Sequence, residues 1–238
     1  MPYKEISNRY SIPSDNTTII RYFEDYKFFW FLEKSALYFS SVGKFHKYDE
    51  LLFSIFDKQC IKRKYQKTLD PEWKKNYLNR INSYEFYKKV TFINCWREGT
   101  IESRFLWDNF VKHGNGIAIK TTVKQLKLEL EKSPFNIYVT KIHYFDPISE
   151  PLGIINTIRM FCRKMKDFRI ENEIRAIIQL NKHDNIPENI EVSLNLTKLI
   201  DEIILGPKVS TVFTKKTEKF LQQLNLIDKL KESKIKYA

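Results

Sequence analysis

Short apolar runs rich in β-branched and aromatic residues recur along the chain at unequal intervals, and they constrain its fold more than any other feature. They fall at 17–23 (TTIIRYF), 36–41 (ALYFSS), 90–96 (VTFINCW), 116–121 (GIAIKT), 137–145, 173–180 (EIRAIIQL), 190–196 and 203–205, each with the length and composition of a strand. Between them lie stretches whose apolar residues return at helical spacing. Residues 26–34 carry Phe28, Phe29, Phe31 and Leu32 on one side, and the segment after Glu102-Ser103 carries Phe105, Leu106, Trp107, Phe110 and Val111. Residues 123–131, a basic stretch at 154–166 and a closing stretch at 215–231 also read as helices. Strands and helices intermix without a βαβ rhythm, which predicts an α+β fold with mixed or antiparallel strands and flanking helices. With no Pro- or Gly/Ser-rich linker and no internal repeat, residues 1–238 read as a single domain.

Of the 238 residues 42% are hydrophobic and 15% aromatic, enough to build a sizeable core. No apolar run is long enough to cross a bilayer, and residues 1–5 open no apolar signal segment, so no membrane association is expected. Cys60, Cys95 and Cys162 are odd in number and widely spaced, which suggests neither a disulfide framework nor a metal site and fits a cytoplasmic protein. Gly-rich phosphate loops, HExxH and GxSxG are absent and the four histidines are scattered, so no metal is expected.

The formal net charge is +12, and half of it is concentrated. From Phe56 to Lys89 ten Lys and Arg face four acids, a net of +6, interleaved with Tyr65, Trp73, Tyr77, Tyr84, Phe86 and Tyr87. This basic aromatic segment, about 51–89, reads as mainly helical and broken at Asp70-Pro71, where Asp70 is placed to cap a helix. Cations beside flat rings suit phosphates and unstacked bases. Lys62, Arg63, Lys64, Lys67, Lys74 and Lys75, with Arg163 and Lys164 of the 154–166 helix, are the candidate nucleic-acid contacts. The plainer reading is a solvated pair of lysine-rich helices whose aromatics face the core.

Two local features bear on chemistry. Arg21 is a lone cation inside an apolar strand, so it either faces solvent or binds an anion, for which its planar fork is suited. Glu171 and Glu173 stand two apart at the start of a strand. Residues two apart in a strand share a face, so both carboxylates are expected in one cleft, or else at a solvated edge salted by Arg169 and Arg175.

A series of short motifs in order resembles the bacterial domain-of-unknown-function family 2971. These are Arg21-Tyr22, Leu37-Tyr38-Phe39, Tyr48-Asp49-Glu50, Asn94-Cys95-Trp96, Glu102-Ser103, Leu106-Trp107 and Gly116-Ile117-Ala118-Ile119, followed by Phe168, Glu171 to Arg175, Leu199-Ile200 and Gly206-Pro207. Ile20 stands where that family usually has Trp, and Arg97 where His is common. The layout is also similar to the ADP-ribosyltransferase superfamily, with a cation on a first strand, an aromatic or Ser on a second and a Glu, often as ExE, on a later one.

That resemblance implies NAD as substrate. Arg21 would hold its phosphates, Tyr22 or Tyr38 would stack on the nicotinamide, and Ser40 or Ser41 would supply the polar second-strand group. Glu173 would bind the ribose hydroxyl and stabilise the developing oxocarbenium, and Glu171 would orient or deprotonate the acceptor. The expected function is an ADP-ribosyltransferase acting as a toxin or phage-defence effector on nucleic acid, RNA above DNA, with an antitoxin or chaperone protein as a possible partner. The alternative is a non-catalytic nucleic-acid-binding module; a metal-dependent nuclease is disfavoured because Asp49-Glu50 and the ExE form no metal-ligand pattern.

Overall fold

The computed structural model describes residues 11–44, 71–111, 114–146, 157–181 and 185–236. The chain runs through β1 (Thr18–Glu24), α1 (Asp25–Lys34), β2 (Ala36–Ser41), α2 (Pro71–Val90), β3 (Thr91–Glu98), α3 (Arg104–Phe110), β4 (Gly116–Thr122) and α4 (Val123–Leu130). There follow β5 (Ile137–Lys141), β6 (His143–Phe145), β7 (Arg163–Met165), β8 (Glu173–Gln179), β9 (Asn189–Ser193), α5 (Leu196–Leu199), β10 (Glu202–Leu205), α6 (Thr211–Gln223) and β11 (Leu230–Glu232). The result is a single-domain α+β fold built on one mixed sheet.

Among the described residues the main sheet has nine strands in the order β11-β10-β4-β1-β3-β2-β9, with β8 added to β3 and β5 to β8. All its pairings are antiparallel except β10 with β11. The pairing of β3 controls the shape. β8 follows it from Thr91 to Arg97 and occupies one of its two edges. On the other edge β2 pairs only at Phe92 and Ile93, and β1 only at Arg97 and Glu98. Between these points β1 and β2 diverge, leaving Asn94–Trp96 facing a gap: the sheet forks at β3. The Asn94 side-chain amide partly spans the gap, donating to the Tyr38 carbonyl at 2.9 Å, while its oxygen accepts from Trp96 Nε1 at 2.7 Å.

Alternation along the strands divides the apolar residues between two faces. Ile19 and Phe23, Phe92 and Trp96, and Ile174, Ala176 and Ile178 join the main core beneath α1, α4 and α6. Ile93 and Ile177 pack on the opposite face with Val42, Phe161 and Cys162, and Ile20 packs there with Trp107 and Val111. Each face thus removes its own apolar surface from water, worth about 25 cal/mol per Å². The start of β4 approaches its neighbours so closely that a Cβ on Gly116 would lie 2.8 Å from the Phe23 carbonyl and 2.4 Å from Val111.

Several sequence expectations are corrected here. The predicted 154–166 helix is replaced, over its described part, by a 3-10 turn at Arg159–Phe161 and strand β7. Here tertiary contacts override helical spacing: β7 pairs with β6, and the Arg163 guanidinium sits 3.9 Å from the Phe145 ring centre. The predicted 137–145 strand divides at Ile142, because β5 pairs with β8 and β6 with β7. The closing helix starts earlier and ends earlier than 215–231: Ser210 caps it by accepting from Phe213 N, and Asn225, at φ 55°, ends it. The residues beyond return as β11.

Candidate functional site

A cleft of about 750 Å³ opens at the fork, within the range of small-molecule sites. Its walls come from β1, β2 and β3, from α1 and α3, and from the Lys164–Arg175 region. Residues far apart in sequence meet there because α1, which joins β1 to β2, flanks the cleft, and because β8 lies along β3.

All six candidates for the nucleotide site, Arg21, Tyr22, Tyr38, Ser40, Glu171 and Glu173, line this one cleft. Arg21 packs its guanidinium 5.2 Å from the Phe23 ring centre and 5.9 Å from that of Trp96. Its Nη1 is buried with no hydrogen-bond partner among the described residues. Burial, only partly offset by Cys95, lowers this guanidinium to about 10. A buried unpartnered donor is costly, and an anion in the cleft would relieve that cost.

The two tyrosines differ. The Tyr22 hydroxyl accepts the Ser103 backbone N–H at 2.8 Å, and its ring meets Trp107 edge-on at 4.9 Å, so this side chain anchors α3. Tyr38 stands on β2 edge-on to Trp30 at 5.5 Å. With Trp30 and the exposed Tyr26 and Phe110, it forms the aromatic lining.

One wall of the cleft holds two carboxylates and two cations, with Lys164 contacting both carboxylates and Arg175 contacting Glu173. Arg175, 1% exposed, takes both oxygens of Glu173, Nε to Oε1 at 2.5 Å and Nη2 to Oε2 at 3.0 Å, and donates from Nη1 to the Phe161 carbonyl at 2.8 Å. Lys164 Nζ lies 2.5 Å from Glu171 Oε2 and 3.7 Å from Glu173 Oε2. Burial pushes both carboxyls up. For Glu173 the pull of Arg175, reinforced by Lys164 and by a hydrogen bond from Cys95, wins and holds it below the ordinary range. For Glu171 the single lysine does not fully offset burial, and the carboxyl stays above its ordinary value. Glu171 Oε1 has no hydrogen-bond partner among the described residues.

Glu171 and Glu173 do not share a strand face, contrary to the sequence expectation. Glu171 ends a 3-10 helix and Asn172 is left-handed at φ 43°, so β8 begins only at Glu173. The residues that share a strand face are Glu173 and Arg175, and they bind each other. The same spacing rule carried two residues further reveals this pair. Lys164, expected on a nucleic-acid surface, is 7% exposed and belongs to the cleft wall, and Arg163 is packed on Phe145. Sequence reasoning also missed Cys95, Tyr26, Trp30 and Phe110 as cleft residues; only the Asn94-Cys95-Trp96 motif hinted at the first. Lys75 is exposed on α2, whereas Lys62, Arg63, Lys64, Lys67 and the Lys74 side chain lie outside the described residues, as do Asp70 and Tyr48-Asp49-Glu50.

Among the described residues no three His, Cys, Asp or Glu side chains converge as metal ligands would, and no helix is long and apolar enough to cross a membrane. The chain matches no family model, no curated protein and no solved structure.

Proposed function

We propose that the chain is an NAD-dependent ADP-ribosyltransferase working in the cleft at the fork, a toxin or phage-defence effector with RNA as the favoured acceptor. One observation carries this reading: the partnerless Arg21 Nη1 and the free Glu171 oxygen line the same cleft. Arg21, Lys27, Arg97, Lys164 and Arg175 outnumber Glu171 and Glu173 there, which suits a ligand bearing two phosphates. Arg21 binds the pyrophosphate, and the Tyr38–Trp30 surface receives a flat ring.

In the reaction the bond from the ribose C1′ to the nicotinamide nitrogen breaks, and nicotinamide leaves with the electron pair. Positive charge develops on the ribose, and a fixed carboxylate stabilises it. Arg175 and Lys164 offset much of the Glu173 charge, so Glu173 serves by position, facing the ribose hydroxyl. The acceptor nucleophile bonds to C1′ and its proton passes to Glu171, the carboxylate with an oxygen to spare.

The test is purified protein incubated with labelled NAD and RNA, DNA or cell extract, following nicotinamide release and label incorporation. Glu171→Gln is expected to lower release about 100-fold or more, as loss of a general base does, in protein that calorimetry shows to be folded at the assay temperature. Arg21→Lys is expected to weaken NAD binding about tenfold, the equivalent of roughly 1.4 kcal/mol. Folded protein that releases no nicotinamide and labels nothing overturns the reading; RNA binding without NAD consumption would instead indicate a non-catalytic module.

A further inference from the structure

Lys164 is the one buried cation of the cleft whose place neither the strand pattern nor the motif series explains. It comes from β7, which belongs to a separate two-stranded sheet with β6, yet its amine reaches the acidic wall. Lysine is rarely buried to this degree unless paired. Its amine lies 5.1 Å from the Phe168 ring centre and meets both carboxylates.

The two carboxylates are not held equally. Glu173 has Arg175 gripping both oxygens, whereas Lys164 is the one hydrogen-bond partner of the Glu171 carboxylate among the described residues. Glu171 also lacks strand pairing to fix it, because it sits at the end of a 3-10 helix before left-handed Asn172. From these contacts we propose that Lys164 is a positioning residue, which fixes the Glu171 carboxylate in the cleft and keeps it ionised there. Its role in the reaction rests on the function proposed above; its hold on Glu171 does not.

The groups facing this pair are Glu173 and Arg175 on β8, with Tyr144 on β6, whose hydroxyl accepts the Glu173 backbone N–H at 2.8 Å. With Lys164 present the four charged side chains sum to zero. Without it, Glu171 shares a largely buried wall with a second carboxylate, and among the described residues Arg175 is left as the nearby counterion. Burial and like charge then both favour protonation of Glu171. Lys164→Met is therefore expected to raise the Glu171 midpoint, and Lys164→Arg to restore it in large part.

The experiment is a 13C NMR titration of glutamate-labelled protein, the Glu171 signal being assigned by its absence in Glu171→Gln. A rise of one unit or more in Lys164→Met, reversed in Lys164→Arg, supports the proposal; an unchanged midpoint in folded Lys164→Met overturns it. Should Lys164→Met not fold, Glu171→Gln serves instead. The lysine amine, followed by 15N NMR, is expected to titrate at lower pH than in the parent protein, and an unmoved amine overturns the assignment. Where NAD is consumed, the acidic limb of the nicotinamide-release profile is expected to move up with the Glu171 midpoint. Absence of any release would refute the transferase reading while leaving the titration to decide the role of Lys164.

Discussion

At Glu173 two opposing forces act on one carboxyl. Burial favours its protonated form, and Arg175 with Lys164 favours the charged form and prevails. Because the folded-state value lies below the ordinary 4.5, the stabilisation is fully present above pH 4.5 and is lost as pH falls through the folded value. Glu173→Gln leaves Arg175 buried without its counterion, at a cost of roughly 3–5 kcal/mol. A fall in melting temperature of roughly 10 °C is expected at neutral pH, with the gap between variant and parent narrowing below pH 4.5. Calorimetry across that range checks it, and a gap that does not depend on pH would contradict the account. Arg21 stood out in the sequence as a charge inside an apolar run, and the two glutamates as carboxylates two apart at the start of a strand. Their partnerships did not, since Lys164 arrives from β7, which a helical spacing of basic residues disguised.

Elements were most legible where their limits are set locally. α1 and β2 fall where apolar spacing and strand composition place them, and β4 begins at Gly116 because its neighbours leave no room for a side chain. They were least legible where pairing across the fold decides, as at the break between β5 and β6. The Glu102-Ser103 motif lies between these cases. Ser103 caps α3 by accepting from Leu106 N, while Glu102 accepts from Trp107 Nε1 at 2.9 Å, Ser233 Oγ at 2.5 Å and Lys234 N at 2.9 Å. The motif thus ties α3 to the segment after β11 rather than entering the chemistry. Since Leu106 and Phe110 of α3 line the cleft, Ser103→Ala is expected to cost about 1 kcal/mol. Its effect on function should be a weaker hold on NAD rather than slower nicotinamide release from bound NAD. Denaturant titration and single-turnover kinetics separate the two, and a change confined to the release step would argue for a chemical role.

At the scale of the molecule, the proposed function gives the net charge of +12 and the cleft different tasks. Half that charge lies in 56–89, whereas the described residues that line the cleft fall outside that span. If the basic segment delivers RNA as proposed, association is expected to weaken steeply with salt, with a log–log slope of roughly −0.7 per phosphate contacted. It should survive Arg21→Lys almost unchanged, since Arg21 faces the cleft; filter binding at several salt concentrations checks both. The fork has a consequence of another kind. An unpaired strand edge normally invites another chain to add to the sheet, and proteins blunt such edges at the rim. Here the unpaired edge of β3 is interior, flanked by β1 and β2 and bordered by α1. Among the described residues this edge therefore lies inside the sheet rather than at its rim, which leaves a second chain less room to add to it.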